Sequence, residues 1–224
     1  MTTPERRQEL YSMMLQFMRL HKLNTVPLDL SSVCRAAGAD LVPLSKIIEE
    51  TGLTEPEVFH IWGNEDGAVN AYKGRHRIAY NDKMPFGRVR FTLSEELSHM
   101  IFGHTKDPDF NIFFQKYASG KYAQYEEEAR LGAGFLVCHP RFYYTYRRIL
   151  NPQHLSEICK ITLPCAVTRC DVYNKYEEEI TQNTAYRFAP IPRTQADLRS
   201  YERRLRAKGG HHAQKVVDKS APGA

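Results

Sequence analysis

Apolar residues at Leu10, Met13, Met14, Phe17 and Leu20 recur every three or four positions in "PERRQELYSMMLQFMRLHKL", which predicts an amphipathic helix. "LDLSSVCRAAGADLVPL" predicts a short helix stopped by Gly38, then a strand leading to Pro43. "SKIIEETGLTEPEVFHIWG" predicts two short helices, the second capped at Thr54 with Glu57 three residues on. In "GAVNAYKGRHRIAYND" the apolar positions Val69, Ala71, Ile78 and Tyr80 flank "KGRH", a β-hairpin pattern with its turn at Gly74.

A helix is expected from about Gly87 to Gly103, and another from near Gln124, with Pro140 as its limit or a kink in it. Between them, "TKDPDFNIFFQKYASGKY" has looser patterning. "PQHLSEICKITLPCAVTRCDVYNKYEEE" has the rhythm of two short helices around a turn at Ile161 to Pro164. A charged helix is expected in "TQADLRSYERRLRAK". The final "GGHHAQKVVDKSAPGA" has too few apolar residues to pack, and disorder is expected there. These patterns divide the chain into a main domain over 1–140, a small helical module over 141–190, and a charged helix with a basic tail over 191–224.

Composition narrows the class. The 224 residues suffice for a proper core, and 42% apolar with 25% charged residues is ordinary for a soluble globular chain. A net charge of +5 favours an acidic or nucleic-acid partner only weakly. No apolar run approaches the roughly 20 residues that span a bilayer, so no membrane association is expected. "MTTPERRQEL" has charges where an export signal needs an apolar core. The five cysteines, Cys34, Cys138, Cys159, Cys165 and Cys170, are odd in number and include no C-x-x-C pair. Buried free thiols in a reducing cytoplasm fit better than a disulfide framework.

The chemistry concentrates in "RVRFTLSEELSHMIFGH". Residues four apart share a helix face, so Glu95 and His99 can hold one ion between them, with Glu96 beside them as a general base. A third ligand must come from elsewhere. "YEEEA" offers Glu126, Glu127 and Glu128, and of Glu126 and Glu128, two apart on a helix, at most one faces the ion. His104 lies five residues beyond His99, about 140° around an α-helix, and would join only if the helix unwound at Gly103. By themselves the five letters E-E-x-x-H describe a solvated helix face as readily as a site.

The wider context changes that balance. Tyr80-Asn81-Asp82, Arg90-Phe91-Thr92, Glu96, His99, Gly103-His104, Glu126-x-Glu128-Ala129 and Pro140 occur in the order that marks the catalytic segment of the ImmA/IrrE metallopeptidases. Over roughly residues 28–140 the chain resembles that family. The resemblance implies an α+β, zincin-like metallopeptidase domain, with a small twisted sheet packed on the active-site helix and a short helical module after it. It also implies a cytoplasmic zinc endopeptidase that cleaves helix-turn-helix repressors, regulating mobile elements or a stress response. Carried over by position, His99 is a zinc ligand, Glu96 the catalytic base and Glu126 the third ligand, with Glu128 as its alternate. Glu95 stands where the family has a histidine ligand, and Ser98 where it has glycine.

A carboxylate also binds zinc, but Glu95, His99 and Glu126 together would bring a divalent ion to formal neutrality and acidify its water less. Oxygen-rich ligation shifts preference toward manganese. Without metal, Glu95, Glu96 and a downstream glutamate would repel one another and favour proton uptake. Two functions follow: a metallopeptidase working through these ligands, or a catalytically impaired relative that binds a repressor or other partner through the old groove. A third class, DNA binding through "LSEICKITLPCAVTRCDVY", is disfavoured. Its leading helix positions, Pro164, Cys165, Ala166, Thr168 and Arg169, suit base edges poorly. Trp62 and "RFYYTYRR" are expected to pack, and Tyr80 to pack rather than stabilise an oxyanion. His211 and His212 are too isolated for a metal site.

Overall fold

The computed structural model describes residues 2–72, 74–107, 110, 120–196, 198, 200 and 203. Most of the expected charged helix and all of the C-terminal tail, His211 and His212 included, lie outside the described residues, as does most of the loose stretch before Gly120.

The chain begins with α1 (Pro4–Leu20), whose N-cap Thr3 accepts the Arg6 N–H and whose Leu10, Tyr11, Met14, Leu15 and Met18 are buried. β1 (Thr25–Val26) precedes α2 (Leu30–Ala36), which is capped by Asp29. Gly38 then turns the chain at φ +84° into β2 (Ala39–Pro43), a conformation glycine adopts without strain. α3 (Leu44–Thr51) and α4 (Glu55–Trp62) follow, the second opened by the Thr54–Glu57 capping box. β3 (Gly67–Tyr72) and β4 (Arg75–Tyr80) form the hairpin around Gly74.

α5 (Phe86–Ile101) ends before Gly103, where φ of +76° reverses the chain into a 3-10 turn, His104–Lys106. α6 (Gly120–Val137) begins one turn earlier than its sequence pattern indicates. Pro140 opens α7 (Pro140–Tyr146) rather than kinking α6. Then come α8 (Pro152–Cys159), α9 (Leu163–Lys175), α10 (Glu177–Gln182), α11 (Thr184–Arg187) and β5 (Arg193–Thr194).

The main sheet has the order β2-β4-β3, with β2 parallel and β3 antiparallel to β4, and β1 pairs separately with β5 in parallel. Alternation along the hairpin separates its two faces. Val69 and Ile78 join the large core beneath the sheet, where α5 packs, while Ala68 joins Leu44, Val58 and Trp62 on the other side. The fold is therefore α+β, a small mixed sheet resting on α5 within a mostly helical chain.

One apolar cluster runs from Leu10 in α1 to Ala189 beyond α11. Tyr11 stacks on Phe135 at 5.3 Å, and Phe135 meets Tyr173 edge-on. The aromatics of α7 pack: Phe142 and Tyr143 are buried, and the Tyr144 hydroxyl donates to the Tyr173 carbonyl. In α9, Ala166 and Arg169 are buried, which removes both from any groove-reading face. Among the described residues no helix is long and apolar enough to cross a membrane.

Candidate metal centre

α5 meets three surroundings around its circumference. Leu93 and Leu97 enter the core, Ser98 turns toward α6, and Glu95, Glu96 and His99 line a cleft of about 280 Å³. Close approach of two helices requires small side chains between them. A Cβ on Gly132 of α6 would lie 2.6 Å from the Ser98 hydroxyl and 2.7 Å from the Phe102 ring. Ser98 fits because its hydroxyl turns back to the Ser94 carbonyl at 2.7 Å. Gly67 has the same function on the sheet side, where a Cβ would collide with the Ala79 carbonyl oxygen and the Thr92 methyl.

This packing brings Glu126, Tyr122 and Arg130 of α6 to the wall opposite Glu95, Glu96 and His99, with Asn64 and Asp66 on the rim. All four residues assigned from the sequence thus face one cavity. Glu128 does not. It is fully buried on another side of α6, where Arg6 grips both its oxygens (3.1 and 2.8 Å) and Gln124 and His104 donate to it (2.7 and 3.0 Å). Burial alone would raise its pKa, but these donors outweigh it and hold the carboxyl down at about 2. Glu128 is therefore excluded as an alternate ligand in this arrangement. Glu127 instead accepts the Thr2 N–H at 3.1 Å.

His104 has a role that an ideal helix hides. Because α5 stops at Gly103, the His104 ring folds back beneath His99, and the two Nδ1 atoms are 2.9 Å apart. His104 stacks on Tyr125 at 4.2 Å, and its Nε2 lies 3.0 Å from Glu128. Burial lowers the pKa of His104 and keeps the ring neutral, with one proton to place. Glu128, a carboxylate, can only accept, so that proton sits on His104 Nε2, which donates to Glu128. His104 Nδ1 is then an acceptor, so His99 must donate from its own Nδ1. The chain Glu128–His104–His99 thereby leaves His99 Nε2 as the atom facing the cleft, 3.5 Å from Glu126 Oε1. Two lone pairs facing each other across that gap repel, so the position favours a cation between them.

The carboxylates on the floor also compete for charge. Burial, then repulsion from Glu126, pushes Glu95 up to about 7 despite the opposing Arg130. Burial, then Glu95 and Glu126, raises Glu96 well above the usual carboxylate range, although it accepts the Val69 N–H. Glu126 moves the other way: burial is outweighed by hydrogen bonds from His99 and Tyr122 and by Arg130. The expected mutual repulsion is therefore present, and Arg130 relieves part of it. Its Nε bonds Glu95 at 3.1 Å and its Nη2 bonds Glu126 at 3.1 Å, so one guanidinium spans both carboxylates.

His99 Nε2 and Glu126 Oε1 provide the nitrogen and oxygen donors of a zinc or manganese site, and Glu95 can add a second carboxylate. Glu95 and the second oxygen of Glu126 are turned to Arg130, and among the described residues no three such side chains stand at the spacing of an assembled metal centre. The donor set fits a cation once Arg130 releases it. No protein-family model matches the chain, and no curated protein matches it.

Proposed function

We propose that this chain is a metal-dependent peptide hydrolase of the ImmA/IrrE type, zincin-like in architecture, whose substrate is a helix-turn-helix repressor. The observation that carries this reading is the convergence of His99 Nε2, Glu95, Glu96 and Glu126 on one cleft, with the imidazole tautomer set by His104 and Glu128. The repressor as target rests on the resemblance of residues 28–140, as does the cytoplasm as the place of action.

In this reading His99, Glu126 and Glu95 hold a zinc or manganese ion. When bound, the ion polarises the scissile carbonyl and acidifies a water molecule. Glu96, whose carboxylate accepts the Val69 N–H, would serve as the general base toward an attacking water and would pass the proton to the leaving amine. β3 is an edge strand and Gly67 lines the cleft, so a substrate in extended conformation has a strand beside which to align.

Arg130 favours a second reading. A guanidinium bridging Glu95 and Glu126 neutralises the cluster without metal, as a non-catalytic repressor-binding relative would require. Direct DNA binding has less support, since the accessible positions at the start of α9 include the apolar Leu163 and Val167. Metal content by mass spectrometry of the wild-type protein and of Glu95→His separates the first two readings. Near-stoichiometric zinc or manganese in the wild type, with Glu96→Gln retaining metal but losing repressor cleavage, is the expected result. Metal in Glu95→His alone would leave the non-catalytic reading, and undiminished cleavage by Glu96→Gln would remove the assigned base.

A further inference from the structure

We propose that Arg130 is an internal counter-ion that latches the cleft, and that a divalent cation enters only by displacing it from Glu95 and Glu126. This inference rests on the metal-dependent reading above. Arg130 follows Glu126 by one helical turn on α6, and Glu95 projects from α5 across the cleft. Two N–H groups of one planar guanidinium, Nε and Nη2, therefore pin together oxygens of the carboxylates that two different helices offer to a metal. Glu126 is shared in the same way, with Oε1 toward His99 Nε2 and Oε2 toward Arg130. A metal ion between His99 Nε2 and these carboxylates would compete with the guanidinium for the same two anions, and their like charges oppose each other across the gap.

Displacement is feasible because the two sides of the bridge differ in burial. The Arg130 side chain is 59% exposed, whereas Glu95 and Glu126 are 18% and 20% exposed. The arginine can rotate into water while the carboxylates remain in place. On the rim, Asp66 is already gripped by Arg88 at 2.6 and 2.7 Å. Arg130 thus sets a threshold. The carboxylates remain paired at low free metal and exchange one cation for another as metal rises, which couples cation binding to release of the α5–α6 staple.

The test is calorimetric titration of the full chain with Mn2+ and, separately, Zn2+, on wild type, Arg130→Gln, Arg130→Lys and Glu95→His. Arg130→Gln should bind several-fold more tightly than wild type, the scale at which removing one opposing cation from a partly exposed pair is felt. Arg130→Lys should fall between them, since an ammonium keeps the charge but cannot span both carboxylates. Thermal melts without metal verify folding, and the exposed position makes the variants tolerable. Equal or weaker binding by a folded Arg130→Gln, with wild type still binding, overturns the latch and leaves the metal-dependent reading standing. If neither wild type nor Arg130→Gln binds either ion, that reading falls and the latch with it, and binding by Glu95→His alone would place the fault at Glu95.

Discussion

His99 has two hydrogen-bonding edges, and only one of them faces the cleft. The other is taken by His104, which is itself held between Glu128 and the ring of Tyr125. Partners of this kind orient a ligating imidazole and fix its proton, and their loss typically lowers metal affinity about 10–100-fold. His104→Phe keeps the ring packing and removes both nitrogens. It is expected to weaken Mn2+ or Zn2+ binding by a factor in that range while the fold persists, as read by titration and a thermal melt. Unchanged affinity would show that packing alone orients His99. The pairing of Glu95 with His99 was legible because both lie on one helix face. The approach of His104 was not, because a regular helix places it off that face and only the left-handed turn at Gly103 brings it back. The glycine directly before a histidine at the helix end was the available signal.

At the level of elements, the site depends on how closely α5 and α6 approach. Gly132 lies against Ser98 and Phe102, and Gly134 against the Arg169 guanidinium, where an added Cβ would come within 1.8 Å of Nη1. Overpacking such a contact costs about 1–3 kcal/mol. Gly132→Ala should therefore lower stability by about that amount in urea unfolding and also weaken metal binding, because it separates Glu126 from His99. Gly52→Ala is a useful contrast: Gly52 has open space around it, so any loss there comes from its φ of +72° and leaves the cleft untouched. A loss of stability without any change in cation affinity for Gly132→Ala would mean that helix spacing does not set the site. Most element boundaries were readable in advance because their signals are local: the Thr54–Glu57 box, the Gly74 turn, the stops at Gly38 and Gly103. The parallel pairings β2–β4 and β1–β5 were not, since their strands are far apart in the chain and no local residue encodes the partner.

Over the whole molecule, α1 acts as a brace. It packs Tyr11 onto Phe135, sends Arg6 to Glu128 and ties Arg7 to Glu179 at 2.7 Å, so that the first turn of the chain supports the relay behind His99. Two buried groups make stability fall with acid, against the opposite contribution of Glu95 and Glu96, whose raised carboxyls bind protons more readily in the folded chain. His139 is buried, accepts the Arg141 N–H at 3.0 Å, and is lowered to about 3 by burial and then Arg141. The unfolded chain takes up that proton below pH about 6.5 while the folded one does not, so stability present above 6.5 is lost as pH falls toward 3, on the order of 4–5 kcal/mol. Glu128, depressed from 4.5 to about 2, adds a second loss between those values. His139→Asn keeps an acceptor at the start of α7 and should remove this contribution, so that stability between pH 6.5 and 4.5 depends less steeply on acid in the destabilising sense than in wild type, as read by equilibrium unfolding. An unaltered slope in that variant would falsify the assignment to His139.

The sequence by itself determined the helical faces, the hairpin, the caps and the grouping of Glu95, Glu96 and His99, because each follows from backbone periodicity over a few residues. Only the tertiary structure decided that Glu126 rather than Glu128 faces His99, that His104 stands behind it, and that Arg130 spans the carboxylates. Those choices depend on how two helices rotate against each other and where a third one braces them, and close packing of distant residues sets that rotation.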